Sequence, residues 1–270
     1  MNTKKYVTAL SIAGSDPSGG AGIQADLKTF FALGVYGMSA VTALTAQNTC
    51  GVRSIFEVTP QFLAEQLDAV FEDISVGAVK VGMLHRSEIV EVVADRLHLY
   101  QAKNIVLDPV MTAKGGKSLL AVAAIQMLKK ILIPLATVIT PNIPEAEILS
   151  GRTIQSKKNI EEVAEELIHL GCKGVLLKGG HFQDANESSD YLIYQSDGRV
   201  YKRWFNSVRI NTRQTHGTGC TLSSALAANL AKGLNLDAAV AAAKGFTTKA
   251  IRHGAFYRLG SGHGPASCPL

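Results

Sequence analysis

The stretch "YVTALSIAGSDPSGGAGIQADLKTF" (residues 6–30) joins a short apolar run, a glycine-rich turn and a segment of helical period. The run 6–14 is apolar on both faces, which suits a strand of a parallel sheet covered on both sides. The same run carries Lys4 and Lys5 before it and superficially resembles a signal peptide. It is too short for one and ends in "SDPSGG", without a small-residue cleavage pattern. A strand, a turn and a helix are therefore expected, with the helix over 20–33.

Outward from this unit the same rhythm recurs. Apolar runs at 38–47, 78–83, 104–111, 136–142 and 174–180 alternate with helical patterns at 60–73, 86–101, 121–132 and 159–170. Repeated βαβ units of this kind predict one doubly wound α/β domain with a mostly parallel central sheet. The segment "DYLIYQSDGRVYKRWF" (190–205) breaks the rhythm with two strand-like runs about Ser196-Asp197-Gly198, which reads as a hairpin at the sheet edge. Helices at about 220–232 and 236–253 close the chain, followed by the irregular "GSGHGPASCPL" (260–270). There is no linker, repeat or low-complexity tract, so residues 1–270 are expected to form a single domain.

Composition narrows the function. A chain of 270 residues with 47% hydrophobic content can bury a sizeable core. The net charge of +5 comes from scattered Lys and Arg rather than a basic stripe interleaved with aromatics, which argues against nucleic acid. No uncharged apolar run reaches membrane-spanning length. The four cysteines, at 50, 172, 220 and 268, are far apart and form no C-x-x-C, so neither a disulfide framework nor a zinc site is indicated. A reducing, cytoplasmic setting is expected.

Two nucleotide signatures fail. Residues 20–25 fit G-x-G-x-x-A, but no Asp or Glu occurs between Asp26 and Glu57, where a ribose-binding acid belongs. Gly116-Lys117-Ser118 resembles the end of a P-loop, but Met111 stands where its first glycine is required.

The run "THGTGCT" (215–221) holds up better. Gly217 and Gly219 allow a sharp turn, and the following amides, with Thr218 among them, open into a helix N-terminus that attracts an anion. Cys220 at that position is drawn toward the thiolate; its plain alternative is a buried cysteine beside a glycine turn. Asp108 in "DPV" and Asn142 and Glu145 in "TPNIPE" follow two strands, at the carboxyl ends where open α/β sheets bind ligands. Asp108 and Glu145 could hold Mg²⁺ directly or through water, and either they or Asn142 could instead cap a helix. Lys178 ends another strand, facing a phosphate or simply solvent. Gly14, Asp26 and Gln47 offer places to match a substrate's polar groups, although Asp26 lies in an amphipathic helix and would otherwise read as solvated.

Seven motifs together resemble one family: "AGSDPSGGAGIQADLKTF" (13–30), "ALTAQNTCGV" (43–52), "VKVGML" (79–84), "DPVM" (108–111), "TPNIPEA" (140–146), "KGGH" (178–181) and "THGTGCT" (215–221). They stand in the order found in hydroxymethylpyrimidine/phosphomethylpyrimidine kinases of thiamine biosynthesis, in the ribokinase-like superfamily. The resemblance runs from about residue 7 to "GHGP" (262–265). It implies a three-layer α/β/α fold, Mg-ATP as donor, and successive phosphorylation of 4-amino-5-hydroxymethyl-2-methylpyrimidine and its monophosphate. It also implies pyrimidine contacts at Gly14, Asp26, Gln47, Met83 and Val110, an anion hole over Gly217 to Cys220, and Cys220 as the base on the attacking alcohol. Asn142, Lys178, Thr218 and Lys244 fall on the nucleotide side, and a homodimer is expected.

Related vitamin B6 kinases also carry a glycine-loop cysteine, but they have a lid cysteine where this chain has Ala113, and they lack the glutamine present here as Gln47. A catalytically silent ligand-binding module is the alternative of another class. Retention of Asp108, Asn142, Glu145, Lys178, Gly217, Gly219 and Cys220 argues against it.

Overall fold

The apolar runs pair side by side. The computed structural model describes residues 4–112, 119–180 and 187–267, so Ala113, Gly116-Lys117-Ser118 and His181 lie outside the described residues. The strands are β1 (Thr8–Ser15), β2 (Tyr36–Asn48), β3 (Gly51–Glu57), β4 (Ala78–Val81), β5 (Ile105–Leu107), β6 (Val138–Ile139), β7 (Gly174–Lys178), β8 (Glu187–Ser196) and β9 (Arg199–Val208). The helices are α1 (Gly22–Ala32), α2 (Pro60–Asp73), α3 (Ser87–Leu99), α4 (Val122–Met127), α5 (Ile143–Ser150), α6 (Lys157–Ile168), α7 (Thr218–Ala231) and α8 (Leu236–Gly254).

Among the described residues these strands form one sheet in the order β3-β2-β1-β4-β5-β6-β7-β8-β9. Strands β2 to β7 in that row are parallel to one another, while β3 at one edge and β8 and β9 at the other run antiparallel. Alternation along each strand feeds two cores. Leu10, Ile12, Val79, Val81, Ile105 and Leu107 face the layer that contains α2 to α6. Ala9, Ala78, Val106, Val138 and Leu176 face α7, α8 and Phe30 of α1. That second face is built from small residues on both sides, including Ala225, Ala227 and Ala228, so α7 lies close to the sheet and is buried from Thr221 to Leu230.

The hairpin expected near 190–206 is β8–β9, turned by Asp197 (φ 50°) and Gly198 (φ 72°), the positive pair of a type I′ turn. One strand was not anticipated: β3, "GVRSIFE", alternates poorly because it is a half-exposed edge strand. Helix α5, foreshadowed only by the capping alternative at Asn142 and Glu145, is short and begins with Ile143-Pro144. The helix expected over 121–132 is α-helical only to Met127. It continues as a π turn over Leu128–Leu132 and a 3₁₀ turn over Ile133–Leu135, where Pro134 lacks the N–H a regular helix needs.

Candidate active site

The carboxyl ends of the parallel strands and the N-terminus of α7 surround a cavity of about 1040 Å³. Asp108 follows β5 and is 2% exposed; its Oδ1 accepts from Thr140 Oγ1 at 2.9 Å and from Lys178 Nζ at 2.7 Å. Lys178 ends β7 and lies 3.9 Å from Glu145 Oε2, so the lysine expected to face a phosphate, or else solvent, bridges two buried carboxylates. Glu145 and Asn142 form a reciprocal capping box on α5: Glu145 N–H donates to Asn142 Oδ1 at 2.9 Å, and Asn142 N–H to Glu145 Oε2 at 2.8 Å. The capping alternative for Asn142 is thus realised while both residues also line the cavity.

Burial pushes the Glu145 carboxyl up to about 7, with Asp108 adding to the rise and Lys178 opposing it. Asp108 moves the other way: burial works against its charge, but Lys178 and then Lys80 hold it below its ordinary value. Two adjacent acids are thereby set apart, one firmly ionised and one poised near neutrality.

At the mouth of α7, Gly217 is the N-cap with φ 73°, and a Cβ there would sit 1.7 Å from the carbonyl oxygen of Gly20. Only glycine fits. Gly219 faces the cavity, where a Cβ would stand 3.4 Å from Lys178 Nζ and 3.7 Å from Asp108 Oδ2. Thr218 N–H reaches the Thr215 carbonyl at 3.5 Å, and the next amides of the first turn have no intrahelical acceptors, which leaves them available to an anion. Cys220 lines the same cavity, but the expected drift toward thiolate is not what its surroundings produce. Burial pushes the thiol up to about 11; Lys80 pulls it down, while Asp26 and Asp108 push it further up.

Gly14, Gln47, Met83 and Val110 line the cavity beside Cys220, whereas Asp26 does not. Asp26 is fully buried behind the wall and already occupied: Oδ2 accepts from Ser11 Oγ at 2.6 Å and Lys80 Nζ at 2.8 Å, and Oδ1 from Ser224 Oγ at 2.6 Å. The helical face occupied by Asp26 turns toward the sheet and α7, so its alternative reading as a solvated residue does not hold, and its carboxylate stands behind the cavity lining at which a pyrimidine contact is expected. Its visible partner is Lys80, which is fully buried in β4 and whose charge is favoured by Asp26 against the cost of burial. On the opposite side Lys244 donates to Asp190 Oδ2 at 2.6 Å and to the Ser188 carbonyl at 2.9 Å, at the cavity edge. Thr218 lines the cavity and donates through Oγ1 to the Thr215 carbonyl at 3.1 Å.

Lys80, Asp16, His216 and Asp190 were missed as site residues. The first three sit inside quoted motifs, but a buried lysine in "VKV", or an acid and a histidine 200 positions apart, gives no sign of its partner until the sheet is assembled.

Residues 16–267 match the family described as phosphomethylpyrimidine kinase. The chain belongs to that family. The hydroxymethylpyrimidine/phosphomethylpyrimidine kinase of Salmonella typhimurium is 46% identical over 260 residues, covering 96% of each chain. The thiamine biosynthesis bifunctional protein ThiED of Geobacter sulfurreducens is 51% identical over 260 residues; this phosphomethylpyrimidine kinase family member spans 52% of that longer relative. Among solved structures, an ADP complex of Bacillus subtilis pyridoxal kinase superposes with a TM-score of 0.89 at 40% identity over 98% of both chains. The fold is the ribokinase-like three-layer α/β/α arrangement expected from the sequence. Among the described residues no helix is long and apolar enough to cross a membrane.

Proposed function

We propose that this chain is a cytoplasmic, single-domain kinase that transfers a phosphoryl group from Mg-ATP to 4-amino-5-hydroxymethyl-2-methylpyrimidine and then to the resulting monophosphate. The observation that carries this reading is the lining of one cavity by both halves of a transfer site. Gln47, Met83 and Val110, which the reading gives to the pyrimidine, line the same cavity as Asn142, Lys178 and Lys244, which it gives to the nucleotide, together with the Gly217 to Cys220 turn. Phosphoryl transfer asks mainly for positioning and charge neutralisation, which a helix N-terminus and a lysine supply.

In this reading the α7 amides and Lys178 hold the transferring group. Only the minor thiolate form of Cys220 can take the proton of the attacking hydroxyl, since burial holds the thiol mostly protonated; the S–H bond forms as the O–H bond breaks and the alkoxide oxygen bonds to phosphorus. Among the described residues no cluster of three His, Cys, Asp or Glu side chains is assembled for a metal. The pair Asp108 and Glu145 fits Mg²⁺ nevertheless, since that ion keeps most of its water and takes one or two carboxylates plus phosphate oxygens. When bound, it would neutralise charge on the phosphates. A homodimer belongs to the same reading, and light scattering gives the mass that tests it.

The likeness to a pyridoxal kinase makes B6 vitamers the second reading. Purified protein with Mg-ATP, offered hydroxymethylpyrimidine, its monophosphate and pyridoxal in parallel with products resolved by mass, separates them. The expected result is the pyrimidine monophosphate followed by the diphosphate, at higher kcat/KM than any pyridoxal product. A preference for pyridoxal, or no turnover of any of the three, overturns the proposal.

A further inference from the structure

Gln47 lines the cavity near the end of β2, and beside it on the same lining are two residues that the proposed reaction does not use. His216 Nε2 is 2.8 Å from Asp16 Oδ2 and 3.3 Å from Gln47 Nε2. Asp16 is a fully committed acceptor. Its Oδ1 receives Ser18 N–H at 2.9 Å and Ser18 Oγ at 2.7 Å, and its Oδ2 receives Ala21 N–H at 2.9 Å as well as His216. Burial alone would raise this acid, yet the bonds from His216 and Ser18 take it down to about 2. An ionised carboxylate has no hydrogen to give, so the hydrogen in the Asp16–His216 bond resides on Nε2.

That hydrogen decides the neighbour. A protonated Nε2 and the Gln47 –NH₂ group are both donors and cannot bond to each other. The other end of the amide has the matching difficulty. Gln47 Oε1 lies 3.3 Å from Thr45 Oγ1, whose single hydrogen already goes to the Ser15 carbonyl at 2.8 Å, so Thr45 can only accept there. Exchanging oxygen and nitrogen by a half-turn of the amide removes the donor–donor clash and lets –NH₂ donate to Thr45, with the carbonyl taking the longer, 3.3 Å branch of the one Nε2 hydrogen whose shorter branch goes to Asp16 at 2.8 Å.

We propose that Asp16 and His216 act as a positioning pair that locks the Gln47 amide with its oxygen on the imidazole, so that Gln47 presents an N–H donor to an acceptor nitrogen of a heteroaromatic substrate. The substrate part rests on the proposed function; the orientation rests on the hydrogen-bond chain alone. The ring is held firmly enough to do this. His216 N–H donates to the Gly264 carbonyl at 3.0 Å, and Ala266 N–H to the His216 carbonyl at 3.1 Å. Its edge fills space that only a glycine leaves, since a Cβ on Gly20 would stand 2.4 Å from His216 Cδ2. The segment "GHGP" (262–265) therefore holds a residue that orients Gln47.

Neutron diffraction from deuterium-exchanged crystals of the ligand-free protein tests the orientation. Two deuterons on the amide atom beside Thr45 and one on His216 Nε2 are expected; two deuterons on the amide atom facing His216 overturn the proposal. Kinetics tests the consequence. His216→Leu should raise KM for hydroxymethylpyrimidine about tenfold, the scale of one buried hydrogen bond, with kcat and KM for ATP little changed. His216→Gln, which returns a donor near the Nε2 position, should recover most of that loss. In a Gln47→Leu background, His216→Leu should add nothing. Equal losses in both backgrounds, with kcat and ATP affinity falling together, would show that His216 only supports the loop and overturn the proposal. A wild-type protein inactive on the pyrimidine would overturn the substrate assignment, leaving the neutron map to decide the orientation.

Discussion

At the mouth of α7 a helix N-terminus stabilises a negative charge by roughly 0.3–1 kcal/mol, less than one pKa unit. Burial among Asp26 and Asp108 raises the Cys220 thiol from its ordinary 9.0 to about 11, so the dipole loses the contest. The thiolate fraction should then be small at neutral pH and grow about tenfold per unit as pH rises toward 11. Iodoacetamide at pH 7.5 should modify the exposed Cys50 well before Cys220. Peptide mapping by mass reads this, and equal rates would contradict the assignment. Cys220→Ser should largely abolish phosphorylation while Mg-ATP binding, measured by calorimetry, is retained. Glu145 titrates in the physiological range with the opposite consequence. Below about 7 it is a neutral acid and a poor cation ligand, so the Mg²⁺ concentration for half-maximal rate should rise as pH falls through 7. Glu145→Gln should raise that concentration and flatten its pH dependence; an unchanged magnesium requirement would leave Glu145 a helix-capping residue. A glycine turn at a helix N-terminus made Cys220 visible in the sequence, and an acid after a strand end made Glu145 visible. Their charge states were not visible, because desolvation and the Lys80 and Lys178 partners arise only when distant strands meet.

The glycine turn at "THGTGCT" combines two positions that the sequence presents as equivalent and the structure separates. Gly217 has a left-handed φ of 73° and no room for a Cβ, whereas Gly219 has space and faces Lys178 and Asp108. Gly217→Ala should therefore cost about 1–3 kcal/mol of stability, the scale of local backbone strain, read by urea unfolding. Gly219→Ala should leave the midpoint nearly unchanged and weaken ATP binding, because its methyl group enters the proposed phosphate space. If the two variants lose stability equally, the division between a structural and a ligand-facing glycine fails. Elements with a sustained period, such as α2, α6, α7 and α8, were legible nearly to their ends. Helix α5 was legible only through its N-cap signal, Asn142 with Glu145, because eight residues show too little periodicity. Strand β3 was hidden by its own mixed exposure, and α4 departs from its expected course before Pro134.

Across the molecule, the strand order turns a linear series of motifs into a site. Strands β2, β1, β4, β5, β6 and β7 lie side by side and parallel, so Gln47, Gly14, Met83, Asp108, Asn142 and Lys178 all line the cavity at one edge although more than a hundred residues separate the first from the last. The alternating apolar runs implied a parallel sheet, but no local pattern specifies which strands are neighbours, and that order decides which charged groups meet. One continuous sheet with a core on each face also supports the single-domain reading, and the only tryptophan makes it testable. Trp204 sits on the far edge strand β9, 5.0 Å from Tyr191 in centroid distance, and its Nε1 donates to Glu161 of α6 at 2.8 Å. Its fluorescence therefore reports whether the β8–β9 hairpin and α6 stay joined to the rest. If the sheet unfolds as a unit, the urea transition followed by Trp204 fluorescence should coincide with that followed by far-ultraviolet circular dichroism, with the same midpoint and slope. A fluorescence transition at lower urea would mean that the antiparallel edge separates first, and the chain would then comprise a parallel kinase core with a hairpin unit of independent stability.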